Sequence, residues 1–246
     1  MPHAIGIIPA RYQSKRFPGK PLALLGGVPL IVRVLETAQK AKLISEAYVA
    51  TDDDRIASTV KQFGGQVLMT SNDPPTGSDR VAEAASRLAK GELIINIQGD
   101  EPFLSGDVID KVISALDGSD IVMSTACSLI KDKSQADDPN VVKVALDRAG
   151  NALYFSRSRI PYDRSGEAGI SRLYRHIGIY GFKRDFLMKF RSLERTPLEK
   201  SEGLEQLRAL EHGYNIRTVI VDGEFLGIDS EEDLFKAEEL LGKKGR

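Results

Sequence analysis

The chain has 246 residues but only one cysteine, three histidines and no tryptophan. A lone Cys127 excludes an internal disulfide and suits a reducing compartment. It follows Ile121-Val122-Met123, the setting of a buried structural thiol rather than a nucleophile. So few histidines and thiols leave little with which to build a zinc centre. The same scarcity, with no Gly-x-Ser-x-Gly segment, argues against a Ser-His-Asp hydrolase. No stretch approaches the roughly 18 apolar residues of a membrane span. The first residues carry no basic segment followed by a long apolar run, so no secretory signal is expected. An excess of one charge is also lacking. Lys and Arg total 34 against 35 for Asp and Glu, a net charge of −1, which disfavours a dedicated nucleic-acid binder. Neither a Walker A loop nor Gly-x-Gly-x-x-Gly occurs, so ordinary P-loop and dinucleotide readings lose weight.

What is present is concentrated near the start. An apolar run ending at Ile8 leads into Pro9-Ala10-Arg11-Tyr12-Gln13-Ser14-Lys15-Arg16-Phe17-Pro18-Gly19-Lys20, before helical spacing resumes at Leu30. A strand that opens into a basic turn ahead of a helix is where α/β proteins hold phosphates. In a chain of balanced charge, a small phosphorylated ligand accounts for this local excess of cations; a solvated basic loop is the plainer alternative.

Apolar runs at Ala4–Ile8, Ala47–Thr51, Gln66–Met69 and Leu93–Ile97 read as strands. Between them lie helical stripes, among them Leu30, Ile31, Val34, Leu35, Ala38 and Val81, Ala84, Ala85, Leu88. Asp52-Asp53-Asp54 is placed to cap the helix that runs to Phe63. Strands separated by such helices imply a mostly parallel sheet with right-handed crossovers. The second half changes texture. Val141–Leu146, Leu153–Phe155 and Ile177–Phe182 favour antiparallel strands, with a polar, mobile loop over Asp163–Arg172. Leu204, Leu207, Leu210 and Glu211 start a helix ended by Gly213; Ile216–Val221 is a strand, and Ser230–Leu241 a closing helix with Ser230 and Asp233 as its cap. The fold class is therefore α/β: a mostly parallel, nucleotide-binding sheet flanked by helices, with a smaller antiparallel α+β part at about 140–215 in one domain spanning 1–246.

Chemistry-bearing positions fall at element ends. The strand at Leu93–Ile97 ends in Gln98-Gly99-Asp100-Glu101-Pro102, and a carboxylate at the tip of a central parallel strand points into the ligand crevice. Asp100 there suits Mg²⁺, a hard ion that bridges substrate phosphates, or it is a turn residue before the next helix. Asp229, in Leu226-Gly227-Ile228-Asp229-Ser230, offers a second ligand or a helix cap. Thr76-Gly77-Ser78-Asp79-Arg80 opens a helix whose N–H groups and hydroxyls can line a base or phosphate site, or simply holds an N-cap at Ser78. Arg157 and His176 lie within or beside apolar strands, where a cation needs a partner or an anionic ligand.

These segments, in this order, resemble the 3-deoxy-manno-octulosonate (Kdo) cytidylyltransferases, also called CMP-Kdo synthetases. The resemblance is carried by Pro9 to Leu22, Ala50-Thr51-Asp52, Gly77-Ser78-Asp79-Arg80 and Asn96-Ile97-Gln98-Gly99-Asp100-Glu101-Pro102. It continues through Ala152-Leu153-Tyr154-Phe155-Ser156-Arg157, His176-Ile177-Gly178-Ile179-Tyr180-Gly181 and Leu204-Glu205-Gln206-Leu207-Arg208. Lys20-Pro21, where the related CMP-sialic acid synthetases read Lys-Asn, favours Kdo over sialic acid. The resemblance implies transfer of CMP from CTP to the anomeric hydroxyl of Kdo, releasing pyrophosphate, for lipopolysaccharide biosynthesis. It also implies Mg²⁺ dependence and a cytoplasmic homodimer whose smaller part makes the dimer contact. Asp100 and Asp229 match the metal ligands. Arg11 and Lys20 would brace the triphosphate with Ser14 and Arg16, and Pro9, Ala10, Gly77 and Ser78 would complete the nucleotide site. Arg80 or Arg157 would take the sugar carboxylate; Gln98, His176, Tyr180, Glu205 and Gln206 would bind sugar hydroxyls. The same reaction on 8-amino-Kdo or a sialic-acid-like sugar is the alternative. From other classes come a glycosyltransferase, for which Asp52-Asp53-Asp54 is the nearest approach to an Asp-x-Asp motif, and a nucleotide sensor without turnover.

Overall fold

Strand β1 (Ala4–Ala10) is buried along almost its whole length in the computed structural model of the chain, as its run of isoleucines demands. The structure describes residues 4–13, 16–72, 74, 76–118, 120–164, 166 and 173–244. Two compact units result, one from residues 1–110 with 224–246, the other from 111–223.

In the first unit, β2 (Leu24–Leu25) and β3 (Val28–Pro29) make a small separate antiparallel hairpin. Helix α1 (Leu30–Lys40) follows and buries Leu30, Ile31, Val34, Leu35 and Ala38, the stripe read from its spacing. Then come β4 (Ile44–Thr51), α2 (Asp54–Gln62), β5 (Gln66–Met69), α3 (Gly77–Ser86) and β6 (Leu93–Ile97), and the first residues of α4 (Gly106–Ser114), whose last residues belong to the second unit. The strands run in the order β6-β1-β4-β5, every pair parallel. All residues of β6 are buried, which is what a strand covered on both faces requires. Asp53 caps α2 by accepting from Arg55 N–H at 2.9 Å. At α3 the cap is Thr76, not Ser78: its hydroxyl accepts from Asp79 N–H while the Asp79 carboxylate accepts from Thr76 N–H, closing a capping box.

The second unit holds β7 (Met123–Leu129), α5 (Lys133–Asp137), β8 (Lys143–Leu146), β9 (Ala152–Ser156) and β10 (Tyr174–Lys183). They are followed by α6 (Arg184–Ser192), α7 (Pro197–Glu202), α8 (Leu207–Glu211) and β11 (Ile216–Ile220). Strand β10 pairs antiparallel with β7 and β8, and β8 with β9, as the alternation suggests. Strand β11 departs from that pattern and pairs parallel to β7. The smaller part expected at about 140–215 falls inside this unit. Most of the loop expected over Asp163–Arg172 lies outside the described residues. Cys127 is fully buried, and burial pushes its thiol up to about 12.

The chain returns to the first unit in α9 (Glu231–Lys244). Ser230 and Asp233 cap it reciprocally, at 3.0 Å and 3.2 Å. Ile228 and Ala237 pack with Phe17, Leu25 and Leu30 in one apolar cluster, so the basic N-terminal loop and the Asp229 segment share a core. Burial of a large side chain such as Phe17 contributes about 1.5–3 kcal/mol.

Candidate active site

Sequence separation says nothing about whether Asp100 and Asp229 meet. They do. Ile228 N–H donates to the Asp100 carbonyl at 2.9 Å, tying the two segments together. Both carboxylates then reach one cation: Lys20 Nζ lies 2.8 Å from Asp100 Oδ2 and 3.2 Å from Asp229 Oδ1. Arg16 takes the other oxygen of Asp229 at 3.0 Å. Burial alone would lower the Lys20 pKa, but the two carboxylates outweigh it and hold the ammonium above its ordinary 10.5. A hydrogen-bonded turn over Lys20–Leu22 fixes the backbone of the lysine, and Leu22 N–H donates back to Gly19 at 2.9 Å.

The other strand tips crowd this point. A Cβ added to Gly99 would lie 3.3 Å from the Pro9 carbonyl, a tight contact, so glycine at 99 eases the close approach of the segment after β6 to the end of β1. Gly77 faces the same place, with Gln98 and Pro9 its nearest neighbours. Gln98 Nε2 donates to Asn96 Oδ1 at 3.0 Å, and buried Asn96 donates to Ser78 at 3.1 Å. Gly77 and Gln98 therefore stand beside Pro9 at the sheet's tip, while the Ser78 side chain is buried beneath them. Arg11 is exposed at the end of β1. Ser14 lies outside the described residues.

The Arg80 and Asp52-Asp53-Asp54 readings look different once partners are visible. Arg80 is buried, and its guanidinium sits 3.0 Å from Asp52 and contacts Thr70 and the Ser71 carbonyl. Burial, then the nearby charge of Arg11, lowers its pKa despite Asp52. The Asp52-Asp53-Asp54 segment is thus engaged with arginines: Asp52 with Arg80, and Asp53 with Arg55 at 2.6 Å. Among the described residues, no three His, Cys, Asp or Glu side chains converge as a metal cage.

In the second unit, Arg157 Nε donates to the Glu202 carbonyl at 2.8 Å and Nη1 to the Pro139 carbonyl at 3.0 Å. The Glu202 carboxylate receives Arg157 N–H at 2.9 Å and the Ser156 hydroxyl at 2.6 Å. Fully buried Lys143 donates to the carbonyls of Asp138, Val141 and Arg157. Neither Glu202 nor Lys143 was foreseen. A lysine inside the apolar alternation Val142-Lys143-Val144 was the available signal, because such a charge needs partners.

The His176 and Tyr180 rings lie 5.3 Å apart at a tilt of 35°, with Phe155 edge-on to His176 at 5.1 Å. The Thr125 hydroxyl donates to the Ile179 carbonyl at 2.7 Å, so at 2.9 Å it must accept from His176 Nε2. That assigns the proton to Nε2 and leaves Nδ1 an acceptor. Burial, helped by Arg175, pushes the His176 pKa down to about 3, and burial with Glu205 raises Tyr180 well above 10.0. Both rings are neutral hydrogen-bonding groups at neutral pH. Gln206 is buried and its Nε2 has no partner among the described residues, an unmet donor suited to a hydroxyl.

Comparison with known proteins adds the family. The cytidylyltransferase family model matches residues 5–217. The 3-deoxy-manno-octulosonate cytidylyltransferase of Geobacter sulfurreducens is 48% identical over 96% of this chain and 98% of its own. That of Thermodesulfovibrio yellowstonii is 44% identical over 96% and 97%. Among solved structures, CMP:2-keto-3-deoxy-manno-octonic acid synthetase complexed with CTP superposes with a TM-score of 0.92 at 38% identity, covering 98% of this chain and 99% of that one. The 4-diphosphocytidyl-2C-methyl-D-erythritol synthase of Anaerococcus prevotii shares the fold at TM-score 0.65 and 16% identity.

Proposed function

The chain belongs to the cytidylyltransferase family, and from that premise we propose that it transfers CMP from CTP to the anomeric hydroxyl of Kdo, releasing pyrophosphate. The observation that carries this reading is the meeting of Asp100, Asp229, Lys20 and Arg16 at the tips of β1 and β6. The sugar oxygen forms a bond to the α-phosphorus, the bond from that phosphorus to the pyrophosphate oxygen breaks with its electron pair going to pyrophosphate, and the hydroxyl proton passes to solvent water.

Such a reaction needs the triphosphate's charge offset and the hydroxyl aligned for in-line attack. Arg11, Arg16 and Lys20 supply the cations. Lys20 trades its two carboxylates for phosphate oxygens, and charge growing on the departing pyrophosphate strengthens that contact in the transition state. Asp100 and Asp229 fit Mg²⁺: two hard oxygen donors already converge within reach of one cation, and this ion usually takes one or two carboxylates together with substrate phosphates. When bound, Mg²⁺ would withdraw charge from the phosphates and lower the pKa of a coordinated hydroxyl. Pro9, Ala10, Gly77 and Ser78 belong to the nucleotide's surroundings.

For the sugar, Arg157 is favoured over Arg80 as the carboxylate's partner, because Arg80 is buried against Asp52 whereas Arg157 is only partly covered. Within the second unit, His176 Nδ1, Tyr180, Glu205 and the unmet Gln206 amide offer partners to hydroxyls. We take the protein as a cytoplasmic homodimer serving lipopolysaccharide synthesis; exposed Leu153 and Ile220 in the second unit are apolar surface that a second copy would cover. The test is pyrophosphate release from CTP with and without Mg²⁺, using Kdo, 8-amino-Kdo and a sialic acid in parallel. Release with Kdo and Mg²⁺ is expected. None with Kdo would overturn the reading, and equal rates without Mg²⁺ would remove the metal.

A further inference from the structure

Lys20 can serve the triphosphate only if the loop before it is held, and that loop is held from an unexpected side. Arg55, on the first turn of α2, lays its guanidinium over the Tyr12 ring, 3.3 Å from the centroid. Asp53 orients that guanidinium with a two-point grip, 3.0 Å to Nε and 2.6 Å to Nη2. Asp53 is itself the cap of α2, whose Ile56, Ala57 and Val60 are buried, so the grip starts from a fixed base. On the loop side, Gly19 N–H donates to the Tyr12 carbonyl at 2.9 Å. Gly19 has φ +73, and a Cβ there would come within 3.2 Å of the Tyr12 ring. The ring therefore lies against Gly19, the residue that leads directly into Lys20, and Arg55 covers it.

We propose that Arg55 is a positioning residue for Lys20, acting through the Tyr12 ring and the Gly19 turn. This rests on the reading of Lys20 as a triphosphate ligand. Arg55 does not touch the reacting atoms; it limits how far the loop carrying Arg16 and Lys20 swings. Because Arg55 is exposed, loss of its contact with the ring corresponds to a roughly 2- to 5-fold effect.

The test combines kinetics with proteolysis. Arg55→Ala is expected to lower kcat/KM for CTP about 2- to 5-fold while leaving the KM for Kdo unchanged. Arg55→Lys should recover part of the loss, and Tyr12→Phe, which keeps the ring, should behave as wild type. Tyr12→Ala should match or exceed Arg55→Ala, and the double variant should be no worse than Tyr12→Ala alone. Independently of activity, tryptic cleavage after Arg11 and Arg16 should quicken several-fold in Arg55→Ala, since an unclamped loop opens more often. Wild-type kinetics together with an unchanged cleavage rate, or fully additive losses in the double variant, would overturn the proposal. An inactive wild-type protein would sink the transferase reading, and the cleavage rates would then decide the clamp by themselves.

Discussion

Lys20 Nζ donates to Asp100 Oδ2 at 2.8 Å, so the loop lysine and the carboxylate at the tip of β6 are each other's counter-ion. Removing either should therefore change more than one interaction. Asp100→Asn is expected to cost on the order of 10³-fold in turnover, the loss of a charge-offsetting metal ligand. The fold should persist, because Asn keeps the shape and the backbone carbonyl that receives Ile228 N–H. A folded Asp100→Asn enzyme with near-normal rates would remove the metal assignment.

Lys20→Ala should lower kcat by roughly 10²-fold with a smaller rise in the CTP KM, since its contact grows as pyrophosphate departs. A change confined to KM would restrict Lys20 to binding. Stability gives a second handle. The folded-state pKa of Lys20 is raised, so its contribution is fully present below the unfolded value of 10.5 and fades as pH climbs through the folded value. Denaturation midpoints of wild type and Lys20→Ala should accordingly draw together above about pH 10.5.

The first unit was readable because its signals are local. Isoleucine runs, the α1 stripe and the Asp53 cap each decide their own element, and β5 and β6 end where their apolar residues end. Helices α6 and α7 were less visible, since neither announces itself with a long regular stripe. Convergence is a different matter. That Asp229 meets Asp100 follows from one backbone hydrogen bond and a shared core under Phe17, neither of which sequence spacing encodes. The same holds for Arg80: its motif suggested a ligand, but burial beside Asp52 is a property of the folded chain.

His176 should leave a mark on acid stability. Its folded pKa of about 3 lies below the ordinary 6.5, so between those values the unfolded chain binds a proton that the native protein refuses. Stability is thus complete above pH 6.5 and falls on acidification, by at most about 1.4 kcal/mol per pH unit from this group. His176→Gln keeps hydrogen-bonding capacity without titrating. Urea denaturation of the variant between pH 7 and 4.5 should show a shallower loss than wild type, and parallel slopes would mean that other groups govern acid unfolding.

Arg157 separates a sugar ligand from a structural strut. Its guanidinium already holds the Glu202 and Pro139 carbonyls, at 2.8 and 3.0 Å, so Arg157→Ala should reduce thermal stability whatever the side chain does for substrate. If a Kdo carboxylate also docks there, the Kdo KM should rise at least about tenfold, corresponding to the roughly 1.5–3 kcal/mol of a charged hydrogen bond. CTP affinity measured by calorimetry without sugar should stay nearly constant. Arg157→Lys sharpens the distinction, because a lysine keeps the charge but loses the planar fork. A sugar-binding role predicts a Kdo KM between those of wild type and Arg157→Ala. Loss of CTP and Kdo affinity in equal measure, tracking the drop in melting temperature across both variants, would make Arg157 a strut between β9 and α7 and leave the carboxylate to another cation.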